Sequence, residues 1–172
     1  AHLSGADAEL PGRGILPGPR QVVHGLNRLM IEDLQVDQYF TLAYAEVDMI
    51  TGQVWLVQAG HPHPMILRRS GLIERLGAGG LPIGLIEGAA YDRITAQLSP
   101  GDRLVLMSDG VTECPGGTGE LGEEGLALIL ERNAGLASPA LLDALLWELN
   151  RFAGGVDFPD DVSGLIFDYR GP

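Results

Sequence analysis

The chain has 172 residues, 45% hydrophobic and 20% charged, the composition of an ordinary globular domain. Eleven Lys and Arg against 23 Asp and Glu leave a net charge of −12, which argues against nucleic acid or an anionic membrane as a partner. No apolar run approaches the ~20 residues of a membrane span, no signal peptide opens the sequence, and the single cysteine excludes an internal disulfide; together these suit a cytoplasmic protein.

In chain order, "AHLSG" reads as the last turn of a helix ending at Gly5, and a Gly/Pro-rich loop runs on to Pro19. From Pro19 to Leu34, Val22, Val23, Leu26, Leu29 and Met30 recur at three- and four-residue intervals, the mark of an amphipathic helix. "YFTLAYAEVD" (39–48) and "VWLVQAG" (54–60) form a predicted hairpin about Thr51-Gly52. "MILRRSGLIERL" (65–76) is a second hairpin with Ser70-Gly71 at its tip. Strands at 91–98 and 102–108 are divided by the Pro100-Gly101 turn. A helix over Glu123–Asn133 puts Leu126, Ile129 and Leu130 on one face. Another starts with Ser138 as N-cap and Pro139 at the first position, buries Leu141, Leu142, Leu145, Leu149 and Phe152, and stops at Gly154-Gly155. A last strand covers 162–169. This order, a helix, several antiparallel strands, two helices and a returning strand, predicts a single α+β layered domain over residues 1–172, with its core in 19–172 and a helix end and loop in 1–18.

Two acidic sites stand at predicted strand ends. Asp109 follows "RLVLMS", and "FPDDVS" sets Asp160 and Asp161 just before the final strand. Carboxylates projecting together from neighbouring strand ends repel unless a cation lies between them, and hard Mg²⁺ or Mn²⁺ suits oxygen donors. Two such ions would activate a bridging water for attack on phosphorus. Asp109-Gly110 also reads as a plain turn, and Asp160-Asp161 as a solvated loop. In "AGHPHP" (59–64), His61 and His63 lie two apart in an extended segment, which suits either a metal or general-acid role or a stiff connector held by Pro62 and Pro64. "GAGGLPIGL" (77–85) matches no nucleotide-binding pattern and reads as a loop packed closely on other backbone. Cys114 has no basic neighbour in sequence to make it a nucleophile.

Taken in order, "YFTLAYAEVD", "AGHPHPMIL", "GGLPIGL", "LSPGDRLVLMSDGVTE" and "DDVSGLIF" resemble the bacterial metal-dependent (PPM, protein phosphatase 2C-like) serine/threonine phosphatases, in the branch of sporulation stage II E and sigma-factor regulators. The resemblance covers Pro19 to Tyr169. It implies an α-β-β-α sandwich of two packed antiparallel sheets, with two Mn²⁺ or Mg²⁺ ions between them. The implied reaction is hydrolysis of phosphoserine or phosphothreonine on a partner protein, such as an anti-sigma-factor antagonist, by metal-activated water. The family's metal ligands fall on Asp109 and Asp160, with Asp161 supporting; Gly60, His61 and Pro62 take a structural place near the site, and Gly110 allows the turn behind Asp109. The helix from Pro19 matches one of two helices that regulate assembly of the metal site.

The family's early aspartate and its Asp-x-Ser-Gly-His-Gly segment do not occur here. The expectation is therefore a C-terminal part of the domain, lacking the N-terminal strands, with exposed sheet edges that favour a homodimer and with little activity on its own. A sensor or receiver domain is expected upstream in the parent protein. The alternative expectation is a non-catalytic, degenerate phosphatase that binds a signalling protein; a metal-free structural domain of a larger sensor is a third.

Overall fold

A computed structural model of the chain describes residues 17–34, 38–117 and 119–172. The helix end read in "AHLSG" lies outside the described residues, as does the loop up to Leu16. The first described helix, α1 (Pro19–Arg28), begins as its sequence dictates: proline at the first position needs no amide donor, and the Gln21 side chain accepts the Gly18 N–H at 2.9 Å. The predicted run to Leu34 holds, but its last turn widens into a π turn over Leu29–Asp33, closed by Leu34 N–H donating to Leu29 C=O at 2.9 Å.

The strands β1 (Leu42–Val47), β2 (Gln53–Ala59) and β5 (Arg93–Gln97) make one antiparallel sheet in the order β1-β2-β5. The strands β3 (Met65–Leu67), β4 (Ile73–Arg75), β6 (Arg103–Met107) and β9 (Gly164–Asp168) make a second, in the order β4-β3-β6-β9. Both predicted hairpins form, with Leu42 opposite Ala59 and Met65 opposite Arg75. In the first, Asp48 Oδ1 accepts the Ile50 and Thr51 amides, and Gly52 has φ +75° where a Cβ would strike Leu98 C=O. β5 and β6 are neighbours in sequence yet belong to different sheets, so the Pro100-Gly101 turn carries the chain from one layer to the other. The final strand returns beside β6, with Gly164 opposite Met107 and Asp168 opposite Arg103.

Three apolar clusters separate four layers. Val23 of α1 meets Val57, Ala59, Ile83 and Tyr91 on the outer face of the first sheet. Val54 and Leu56 meet Ile66, Leu104 and Tyr169 between the sheets. Met65, Leu67, Val105 and Met107 pack on α3 (Gly122–Arg132) and α4 (Ser138–Ala153) through Leu126, Leu130, Leu141, Leu145 and Leu149. The predicted α-β-β-α sandwich is thus the observed one. The period-two alternation of strand side chains explains why β2 and β6 read as unbroken apolar runs: each supplies one cluster with its even positions and another with its odd ones.

Ser138 departs from its predicted place. Ala137 takes the cap position (φ −65°, ψ 152°), and Ser138 is the first helical residue, buried, with its hydroxyl donating to Asp168 Oδ1 at 2.8 Å. A carboxylate presented by β9 outcompetes the helix's own amides for that hydroxyl. Leu142 and Phe152, predicted in the buried stripe of α4, lie half-buried on its shoulder. Two short elements escaped the sequence reading: a one-turn helix α2 (Asp109–Thr112) and a small hairpin of β7 (Pro115–Gly116) with β8 (Gly119–Glu120). No helix among the described residues is long and apolar enough to cross a membrane.

Candidate functional site

The acidic segments meet where β6 ends and β9 begins. Ser108 follows the last residue of β6, and its N–H donates to Ser163 C=O at 2.9 Å, carrying the β6–β9 pairing one step past the strands. The Ser108 hydroxyl donates to Asp161 C=O at 3.1 Å and accepts the Ser163 N–H at 2.9 Å. This one hydroxyl stitches the Asp160–Ser163 segment to the start of α2. Sequence reasoning passed over Ser108, although a serine just before an acidic helix start is a recognisable signal.

Gly110 does a different job from the predicted one. It is helical and buried rather than the pivot of a sharp turn, and its φ is not positive. A Cβ there would lie 2.5 Å from Asp161 C=O and 3.2 Å from Asp160 C=O. The glycine is needed because the Asp160-Asp161 backbone runs directly against it, at a distance no side chain permits.

Asp109 is therefore half-buried beside an exposed acidic pair. Its Oδ1 accepts the Gly110 N–H at 3.0 Å, and Asp160 Oδ1 accepts the Asp161 N–H at 2.7 Å. Among the described residues none of the three carboxylates makes an ion pair, and Asp161's carboxylate accepts no hydrogen bond. Three nearby negative groups without a cation, each with oxygen lone pairs to spare, suit a hard divalent ion. Among the described residues, however, no group of three or more Asp, Glu, His or Cys side chains converges closely enough to hold one. The residues present fit one face of a metal site.

The histidine segment is built for support. His61 Nδ1 lies 2.8 Å from Pro62 C=O. His63 turns away to α3: its N–H and its Nδ1 both meet Glu123 Oε1, at 2.9 and 2.7 Å. Burial pushes the Glu123 carboxyl up, and the His63 contacts with Arg75 more than offset this, so it titrates below its ordinary range. Gly60 has φ +73° and lies so close to Pro82 that a Cβ would sit 2.8 Å from its ring. The glycine-rich loop packs as predicted, with Gly80 against Gln58 C=O, where a Cβ would stand at 2.5 Å. Gln58, buried and unremarked in the sequence, fastens both segments: its Nε2 donates to His61 C=O at 2.6 Å and its Oε1 accepts the Gly79 N–H at 2.9 Å. Cys114 is buried, and burial pushes its thiol up, in keeping with an inert residue.

Residues 3–170 match the sequence model of the family described as stage II sporulation protein E (SpoIIE). The chain belongs to the SpoIIE family. Phosphoserine phosphatase RsbU of Bacillus subtilis (strain 168) is 33% identical over 125 residues, which are 72% of this chain and 37% of that protein. The chain thus spans little more than a third of that relative's length. Among solved structures, the SiaA-PP2C domain of Pseudomonas aeruginosa superposes with a TM-score of 0.78 at 20% identity, over 88% of this chain and 61% of that one. The Mn-presoaked phosphatase domain of SpoIIE from Bacillus subtilis gives 0.63 at 21% identity, over 94% of this chain and 78% of that one. The fold is that of PP2C-type phosphatase domains, and metal dependence is general for the SpoIIE family.

Proposed function

We propose that this domain hydrolyses phosphoserine or phosphothreonine on a partner protein, using a Mn²⁺ or Mg²⁺ centre, of two ions in the complete domain, to which Asp109 and Asp160 contribute carboxylate oxygens and Asp161 a supporting one. The observation that carries this reading is the packing of Gly110 against the Asp160-Asp161 peptides, which brings the segments bearing Asp109, Asp160 and Asp161 together at one sheet end, in a family whose metal dependence is general. A bound ion of this kind supplies Lewis acidity and a water of lowered pKa. The chain's own part is to hold the carboxylates in place: Ser108 clamps the acidic segment, and the Gly110 and Asp161 amides each occupy one carboxylate oxygen. The substrate class we infer is a small phosphoserine-carrying antagonist of an anti-sigma factor, met in the cytoplasm, with a sensor or receiver module in the parent protein. RsbU, named a phosphoserine phosphatase, supports the phosphoserine preference.

The test is phosphate release from a phosphoserine peptide by the longest natural protein that carries this domain, with Mn²⁺ and with chelator. Metal-stimulated release is expected; equal rates under both conditions overturn the reading. A second reading, a phosphoprotein-binding module without turnover, is favoured by one observation: fewer than three donor side chains converge among the described residues. Calorimetry with Mn²⁺ separates the two, because a binding module takes up no metal in a manner dependent on Asp109 and Asp160.

A further inference from the structure

Away from the acidic site, a groove of about 520 Å³ runs between α1 and the loop at residues 86–88, within the size range of small-ligand sites. Arg20, His24 and Arg28 line it. Their spacing of four residues puts all three on one face of α1, along a strip of roughly 12 Å at 1.5 Å per residue. Neither arginine has an acidic partner among the described residues, although Glu32 and Glu87 line the same groove. Arg28, Glu32 and Glu87 are exposed and Arg20 is half-exposed, so these charges face solvent and are open to the charged groups of a ligand.

The opposite wall is fastened in place. Asn27, 3% exposed, donates from Nδ2 to Ile86 C=O at 3.0 Å, and its Oδ1 accepts from Gly84 N–H at 2.8 Å and from the Tyr91 hydroxyl at 3.2 Å. His24 meets the Tyr91 ring edge-on at a centroid distance of 5.3 Å, which fixes its plane. Among the described residues, neither Gly25 nor Gly88, both in the lining, has any other group within 4 Å of where a Cβ would stand, so these residues leave the middle of the groove open. Cationic forks and carboxylate acceptors around one groove match a ligand that carries both a phosphate and hydroxyl donors.

We propose that this groove is a binding site for a phosphorylated, hydroxyl-bearing small molecule of nucleotide size. Arg20 and Arg28 take the phosphate, and Glu32 and Glu87 accept from its hydroxyls. The proposal does not rest on the phosphatase reading: no lining residue belongs to the acidic site, and α1 covers the outer face of the β1-β2-β5 sheet while Asp109 follows β6 in the other sheet.

The test is calorimetry on the full 172-residue chain in chelator, which removes metal-held binding, with AMP, ribose 5-phosphate and adenosine as probes. AMP and ribose 5-phosphate are expected to bind with a Kd below about 1 mM, and adenosine at least about tenfold more weakly, because it lacks the phosphate. Arg20→Gln and Arg28→Gln, each with unchanged circular dichroism and Tm, are expected to weaken AMP binding by about tenfold or more. Asp109→Asn is expected to leave it unchanged. Three results overturn the proposal: no saturable binding up to about 10 mM, equal binding of AMP and adenosine, or a loss with Asp109→Asn but not with the arginine variants. Should one arginine variant unfold, the other decides.

Discussion

Two aspartates bracket the central strand β6, seven residues apart, and the fold treats them in opposite ways. Asp102, before the strand, is 3% exposed; it accepts the Ser99 and Arg69 amides at 2.9 Å each and Arg68 Nη1 at 2.7 Å. Burial pushes its carboxyl up, but the two amides and the Arg68 guanidinium more than offset this and hold it below the usual carboxylate range. Asp109, after the strand, has the Gly110 amide and no cation among the described residues. One end of β6 is therefore closed, with every acceptor in use, and the other is left open. A stabilising carboxylate and one left free to meet a cation differ less in the residue than in how many of its lone pairs the chain itself consumes.

This contrast predicts that function and stability separate along one strand. In the longest natural protein that carries the domain, Asp109→Asn is expected to lower Mn²⁺-stimulated phosphoserine hydrolysis by about a thousandfold or more, equivalent to about 4 kcal/mol of transition-state stabilisation, with Tm unchanged. Asp102→Ala should do the reverse. It leaves Arg68 and two amides without their shared acceptor and costs about 3 kcal/mol in denaturant unfolding of this chain, while the residual folded fraction keeps its metal response.

The pH dependence extends the same comparison. A carboxyl with a depressed folded pKa contributes stability that is present above its unfolded value and lost as pH falls through the folded one. Asp102 and Glu123 are both depressed, so stability should fall below about pH 4, and Asp102→Asn should flatten that decline in a urea titration series. Gly110→Ala joins the two ends: its methyl has to displace Asp161 C=O from 2.5 Å, for a cost of about 1–3 kcal/mol, with metal binding weakened even though no carboxylate is touched. The smallest effect is that of Ser138→Ala, about 1 kcal/mol, because the lost hydroxyl leaves Asp168 with Arg103 still 3.3 Å away.

Much of this architecture was legible before any coordinate. Pro19 at a helix start, Thr51-Gly52 at a hairpin, and Gly154 at φ +61° closing α4 are local choices, and local sequence specifies them. The candidate site was legible only in part. Asp109, Asp160 and Asp161 stood out as acids at strand ends, while Ser108, which holds their segments together, and Gln58, which ties the His61 connector to the glycine-rich loop, did not. Their partners lie 53 residues away for Ser108 and 21 for Gln58, and no periodicity reports contacts at that range.

The sequence by itself determined the longer strands and helices and which residues are apolar on each, because φ/ψ preference and period-two or period-3.6 alternation act within a few residues, while the short α2 and the β7–β8 hairpin escaped it. It also determined that the glycines at 52, 60, 80 and 110 would matter. Only the tertiary structure decided why: at all four another group runs too close for a Cβ, and at 52 and 60 the backbone also adopts positive φ. The tertiary structure alone likewise sent β5 and β6 to different sheets, and gave Ser138's hydroxyl to Asp168 rather than to a helix cap. Each of these outcomes depends on what arrives from elsewhere in the chain to compete for the same surface or the same donor.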